Sequence, residues 1–322
     1  DMDLLIIVGC LGLILFLLFR SKARPKLAKK APKSLVPEDL TIAESEQWLA
    51  NQESKIDHIT QGAEARIFWS VKGKKTALSI LYVHGFSACR QEISPVPETL
   101  GDKLSANLIC ARLAGHGLRQ DQMLASAEDW LQSVTDAWEI ASRLGDKVII
   151  IAVSTGAPLS IWLTQMVANP SRIHSLIFMS PNFGIRNPFG FILTWPWSEK
   201  WVPKLMGKSR QWEPENDQVA KYWSNQYPMQ AVIEMQKVVD WTRHTSLRSN
   251  QHPLATLYMT GDPTISHKAA VTFHENWQST KKLLVDVPVD PANVQHVFAG
   301  KISAPQRVDW TIRTCLEFIR SI

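Results

Sequence analysis

The stretch DKVIIIAVSTGAPLS, residues 146–160, runs the apolar β-formers Val148 to Ile151 into Ala152 and Val153, then into Ser154, Thr155 and Gly156. A serine in this place can act as a nucleophile toward a carbonyl. A sharp strand-to-helix turn lifts its oxygen clear of a sheet, where a substrate can reach it. The chain doubles back tightly there, so the residues two before and two after the serine must be small, as Ala152 and Gly156 are. A serine hydroxyl is a poor nucleophile until a base takes its proton. Three more polar clusters fall at the ends of predicted strands. His84-Gly85-Phe86 follows strand 77–83, Asp262 follows strand 255–259, and His296 lies in the loop after strand 282–286.

Those strands belong to a regular pattern. EARIFWSV, TALSILYVHGF, SANLICARL, HSLIFMSP, PLATLYMTGD and KKLLVDVP read as strands. SAEDWLQSVTDAWEIASRLG places Trp130, Val134, Ala137, Trp138, Ala141 and Leu144 at steps of three and four, with Gly145 as a stop, and reads as an amphipathic helix. APLSIWLTQMVAN and APQRVDWTIRTCLEFIR read as two more helices. Short, continuously apolar strands alternating with helices predict a mostly parallel sheet covered on both faces. Ligands bind beyond the carboxyl ends of the strands in such sheets.

Of 322 residues, 45% are apolar, enough for a sizeable core. Cys10, Cys89, Cys110 and Cys315 show no metal-binding or disulfide spacing, which fits a reducing compartment, and no metal or cofactor is expected. The formal charge of +5 is local: seven bases and no acids lie between Arg20 and Lys33, and the remaining 28 bases face 30 acids. No nucleic-acid footprint is therefore expected. The bases follow LLIIVGCLGLILFLLF, Leu4 to Phe19, which reads as a single-pass membrane anchor at 1–20. The positive-inside tendency then puts the rest in the cytoplasm, with the basic run touching anionic lipids. IVGC looks like a lipoprotein cleavage box, but its Cys10 sits mid-segment instead of ending it. Residues 21–56 read as a basic tether followed by a polar helix from Thr41 to about Ser54, and residues 57–322 as the folded domain.

HGF at 84–86, GHG at 115–117, AVSTG at 152–156, GDPTIS at 261–266 and QHVFAG at 295–300, in that order and each at a strand end, resemble the α/β-hydrolases. The likeness is nearest to the monoacylglycerol-lipase and serine-aminopeptidase-like branch and covers roughly residues 60 to 322. It departs in having Ala152 where the common elbow has glycine. It implies Ser154 as nucleophile, His296 as base and Asp262 as the acid that orients it, in the chain order usual for the fold. Asp286 and Asp290 are the substitutes for the acid. The other place where the fold can carry it holds Asn182 in SPNF. The backbone N–H groups of Phe86 and Thr155 would form the oxyanion hole. His84 would shape that loop, and His116 would be structural or pocket-lining. The resemblance also implies an inserted helical cap at about 184–251, rich in tryptophan. Within it, NPFGFILTWPW offers Phe191, Trp195 and Trp197 as acyl-pocket candidates, or as a patch that dips into a membrane.

The function implied is a membrane-anchored serine hydrolase that cleaves carboxylic esters, lipid or acyl esters above all, through an acyl-enzyme and without cofactor. The same three residues also serve an acyltransferase, a thioesterase or an amide hydrolase. A catalytically silent binding protein on the same fold is the reading from a different class. The oligomeric state is not legible.

Overall fold

The computed structural model describes residues 2–22, 24–247, 251–289 and 293–322. Its main sheet uses β1 (Arg66–Phe68), β2 (Thr76–Val83), β3 (Asn107–Cys110), β4 (Gly145–Val153), β5 (Ile173–Met179), β8 (Leu254–Tyr258) and β9 (Lys282–Asp286). A short hairpin, β6 (Ser209–Gln211) with β7 (Gln226–Pro228), stands apart from it. The strand order is β1-β3-β2-β4-β5-β8-β9. β1 runs antiparallel to β3, and every other neighbouring pair is parallel.

The central strands are apolar at every step because both faces are covered. Leu81, Val83, Val148, Ile150 and Ala152 point into one core. That core also takes residues from α4 (Ala127–Leu144), α5 (Gly156–Met166) and α8 (Met229–His244). Ile80, Tyr82, Ile149, Ile151 and Val153 point to the other face. There they meet α3 (Val96–Leu104) and α10 (Val308–Arg320). Helix α4 starts at a capping box in which Ser126 and Asp129 each satisfy the other's backbone N–H. Its Trp130 is fully buried, as is Trp162 of α5. Burial of a side chain this size contributes about 4–6 kcal/mol of transfer free energy.

The N-terminal segment overturns the reading of a membrane anchor. Helix α1 covers Met2–Lys22, but among the described residues no helix is long and apolar enough to cross a membrane. The uninterrupted apolar stretch, Leu4 to Phe19, makes about 24 Å of helix, while a hydrocarbon core is roughly 30 Å thick. The single-pass anchor, the cytoplasmic orientation derived from it and the lipid contacts assigned to it are therefore withdrawn. The tether that follows packs against the folded domain. Leu27 and Val36 are buried in the core beside α4. Asp136 of α4 accepts from the Leu35 N–H at 2.7 Å and from Ser34 Oγ at 3.0 Å. Arg143 Nη1 donates to Leu40 O at 2.7 Å.

This packing makes a prediction. A chain starting at residue 41 uncovers two apolar sites and takes two of the three donors from the half-buried Asp136 carboxylate, a loss of about 4 kcal/mol. A melting curve is expected to show its Tm about 5–10 °C below that of the full chain. An unchanged Tm would mean that the segment is dispensable for stability. α2 (Ser45–Glu53) follows, shorter at its start than the expected Thr41 helix: residues 42–44 form turns, in which Glu44 N–H donates to Thr41 O at 3.2 Å and Ser45 N–H to Ile42 O at 3.3 Å.

Between β5 and β8 the chain leaves the sheet. It forms a 3-10 helix (Pro188–Thr194), α6 (Ser198–Met206), the β6–β7 hairpin, α7 (Asp217–Tyr222) and α8. Leu193, Val202, Met229 and Ile233 give this insertion a small core of its own. Val219 and Trp223 fasten it to Ala88 of the loop after β2, and to Val297 and Ile302 of the loop after β9.

Candidate active site

Ser154 takes φ = +50°, a left-handed conformation that costs a non-glycine residue about 1–2 kcal/mol. The turn is held on both sides. Ser154 N–H donates to Met179 O at 3.0 Å, and Ser154 O accepts from Ala157 and Asn182 N–H at 3.0 Å each. Gly156 opens α5 against the end of β2, where a Cβ would lie 2.3 Å from Val83 O and 2.8 Å from His84 O. Only glycine fits this approach. Ala152 stands in register between Val83 and Phe178, fully buried. The small-residue demand read from the sequence is therefore a real close approach of backbones.

His296 reaches this turn from the loop after β9. Its Nε2 lies 2.8 Å from Ser154 Oγ and its Nδ1 lies 2.8 Å from Asp262 Oδ2. Asp262 follows β8 and its side chain is wholly out of solvent. Its other oxygen, Oδ1, accepts from the N–H groups of Thr264 at 2.8 Å and Ile265 at 3.0 Å. Burial pushes this carboxyl up, but the hydrogen bond and charge of His296 and the two N–H groups outweigh it, and it stays below the usual aspartate range. Nδ1 therefore carries the proton that faces the carboxylate, and Nε2 is the free acceptor facing Ser154. The arrangement can take a proton from the hydroxyl and hold the imidazolium that results.

Of the substitute acids, Asp286 does not compete. Asp286 accepts from Thr260 N–H at 3.0 Å and Thr260 Oγ1 at 2.7 Å, which ties it to the turn after β8. Asp290 lies outside the described residues. Asn182 sits beside the nucleophile, and its Nδ2 lies 3.3 Å from Thr155 Oγ1.

The N–H groups of Phe86 and Thr155 have no hydrogen-bond acceptor among the described residues. Two unpaired donors beside a nucleophile are what a developing oxyanion requires. Beneath them His84 is fully buried. Its Nδ1 lies 2.9 Å from Gly85 O, and its Nε2 accepts from Leu113 N–H at 3.1 Å. Burial lowers His84 to about 4, so it stays neutral and braces the loop. His116 packs against His84 and Phe86, and burial keeps it neutral as well.

A cavity of about 470 Å³ opens over Ser154 and His296. The insertion supplies its outer wall through Arg210, Trp212, Trp223, Tyr227 and Met235. Phe191, Trp195 and Trp197 are not part of it. They are 46%, 42% and 46% exposed, turned outward by the 3-10 helix and the left-handed Trp197 that follows it. The acyl-pocket role read for them is corrected on this point. The aromatic residues that do line the cavity, Trp212, Trp223 and Tyr227, lie 15 residues or more further on. They carry no motif, and only the fold of the insertion selects them. Glu92 also borders the cavity and had no signal in the sequence.

No family model and no curated protein matches the sequence. Solved structures do match. One of the metagenome-derived lipolytic enzymes LipS and LipT superposes with a TM-score of 0.65 at 16% identity, over 82% of this chain and 100% of that one. The monoacylglycerol lipase of Paleococcus ferrophilus gives 0.60 at 14% identity, over 80% and 98%. A soluble variant of monoglyceride lipase from Saccharomyces cerevisiae, in complex with a substrate analogue, gives 0.58 at 12% identity, over 80% and 90%. At these identities the likeness is one of fold, and the chain has the α/β-hydrolase fold.

Proposed function

We propose that the chain is a serine hydrolase of carboxylic esters. The observation that carries this reading is the unbroken hydrogen-bond chain Asp262–His296–Ser154, set beside the two unpaired N–H groups of Phe86 and Thr155. His296 Nε2 takes the Ser154 proton as Oγ attacks the ester carbonyl. The oxyanion is held by the two N–H groups, and Asp262 stabilises the imidazolium. The imidazolium then protonates the leaving alcohol and an acyl-Ser154 remains. Water, deprotonated by His296, attacks this ester, and collapse returns the Ser154 hydroxyl and releases the acid. The names of the structural neighbours support lipolytic chemistry and so an acyl ester as substrate. The insertion between β5 and β8 acts as a cap that selects the acyl group.

Labelling with a fluorophosphonate probe tests the reading. Covalent labelling of wild type at Ser154 is expected. A folded wild type that takes no label, and hydrolyses no ester in a panel of short and long acyl chains, would instead be a binding protein on a hydrolase fold.

The cap makes a separable prediction. Trp212→Ala removes a large apolar surface from the cavity wall and is expected to raise KM for a long-chain ester about tenfold, with little change for acetate esters. The double variant Trp195→Ala, Trp197→Ala is expected to leave both substrates within twofold. Steady-state kinetics on the two esters checks this, and the reverse pattern would place acyl binding on the outer patch.

A further inference from the structure

Glu92 lies in a 3-10 turn, Arg90–Glu92, and is only 2% exposed. Its Oε2 accepts from Tyr82 Oη at 2.9 Å and from Gly85 N–H at 2.9 Å. Its Oε1 has no hydrogen-bond partner among the described residues, and the carboxyl borders the cavity with Ser154 and His296. A Cβ placed on Gly85 would meet Glu92 Oε1 at 2.8 Å and Ser154 Cβ at 3.1 Å, so the bare Cα of Gly85 lets the carboxyl and the nucleophile come this near. The turn is also bolted to the loop that carries His296. Lys301 N–H donates to Ser94 O at 2.9 Å, and Gly300 passes so close that a Cβ there would lie 2.6 Å from Glu92 O. Glu92 thus joins the loop before Phe86, the sheet and the histidine loop.

We propose that Glu92 is a positioning residue of the reaction: it holds the Gly85 N–H so that the next N–H, that of Phe86, faces the oxyanion, and its negative charge favours the imidazolium that forms on His296. This role rests on the hydrolase reading above. A carboxyl sealed in a protein interior without a cation in contact costs stability, and burial pushes Glu92 up to about 7. The Gly85 N–H, the Tyr82 hydroxyl and the charge of His296 pull the other way. The other ionisable neighbours are silent near neutrality. Burial raises Tyr82 of β2 and Cys110 of β3 well above their usual values, and raises Cys89 of the adjoining loop to about 12. Arg90 turns away to Glu64, 3.5 Å from its carboxylate. Glu92 is therefore the titrating neighbour of His296 on this side.

The sign of the stability effect follows. A carboxyl raised in the folded state favours the protonated form there. That advantage is complete below about 4.5 and is lost as pH rises through about 7. Glu92→Gln keeps an oxygen for the Gly85 N–H and stays neutral at every pH. Its Tm is expected to exceed that of wild type at pH 8 and to match it at pH 5. Its kcat/KM for an ester at pH 8 is expected to fall about tenfold, equivalent to about 1.4 kcal/mol. The acidic limb of its pH–rate profile is expected to move to lower pH. Glu92→Ala, which also frees the Gly85 N–H, is expected to lose more activity than Glu92→Gln. An E92Q variant whose rate and acidic limb superimpose on wild type overturns the role, and so does one whose Tm falls along with its activity. Wild type that takes no fluorophosphonate label sinks the hydrolase reading and this role together. Labelled wild type with an unchanged E92Q profile sinks this role alone.

Discussion

Ser154→Ala is expected to lower kcat for ester hydrolysis by about 10⁶-fold and to abolish fluorophosphonate labelling, with Tm within about 2 °C of wild type. The Oγ atom that would bond to the carbonyl is gone, and no other hydroxyl lies within hydrogen-bond reach of His296 Nε2 among the described residues. The backbone of the turn is fixed by bonds that do not involve the side chain: Ser154 N–H to Met179 O, and Asn182 N–H to Ser154 O. Gly156 keeps its close approach to Val83 O in the variant as in the wild type. Loss of activity is thereby separated from loss of fold. A purified Ser154→Ala variant that kept even a hundredth of the wild-type rate would remove Ser154 from the chemistry.

The second large effect is at the acid. Asp262→Asn is expected to cost about 10⁴-fold in kcat. The reason lies in the partners of the two carboxylate oxygens. Oδ1 accepts two backbone N–H groups, from Thr264 and Ile265, while Oδ2 faces His296 Nδ1. An asparagine must give its oxygen to those two donors, since its NH₂ cannot accept them. The NH₂ group then points at Nδ1 and donates to it, so Nδ1 loses its proton and Nε2 carries one. An Nε2–H aimed at Ser154 Oγ cannot take the hydroxyl proton. Nitrogen NMR of the imidazole is expected to report this change of tautomer, and kinetics the loss of rate. Asp262→Glu, in contrast, keeps the charge but misplaces it by a methylene and is expected to lose less. An Asp262→Asn variant within tenfold of wild type would mean that another group orients His296.

Much of this site could be read along the chain. Ser154, Asp262 and His296 were each legible because each follows an apolar strand, and strand ends in a parallel sheet collect on one side. The alternation of cores was legible too: Val148 to Ile151 can be apolar at every position only if helices cover both faces. Three whole helices were not read. α3 is short and begins with Val96-Pro97, α6 is short and carries Pro203 inside it, and α9 (His267–Asn276) carries two histidines and few apolar residues, so none displays a strong helical period. In the basic, proline-containing stretch before α2, nothing along the chain marks Leu27 and Val36 as the residues buried in the core that α4 also joins. Apolar composition alone likewise overstated α1 and the Phe191–Trp197 patch.

What the sequence determined by itself was local: which segments are strands, where the chain must turn sharply, and which side chains have the chemistry to act there. These follow from periodicity and from the size of single residues, both properties of neighbours along the chain. Tertiary structure alone decided which tryptophans face the cavity and which face outward, and that Glu92 comes under Gly85. It also decided that Asp262 has one oxygen taken by backbone and one left for His296. Those facts depend on contacts between residues far apart in the chain, set by how the insertion and the loops pack on the sheet, and no spacing in the sequence encodes them.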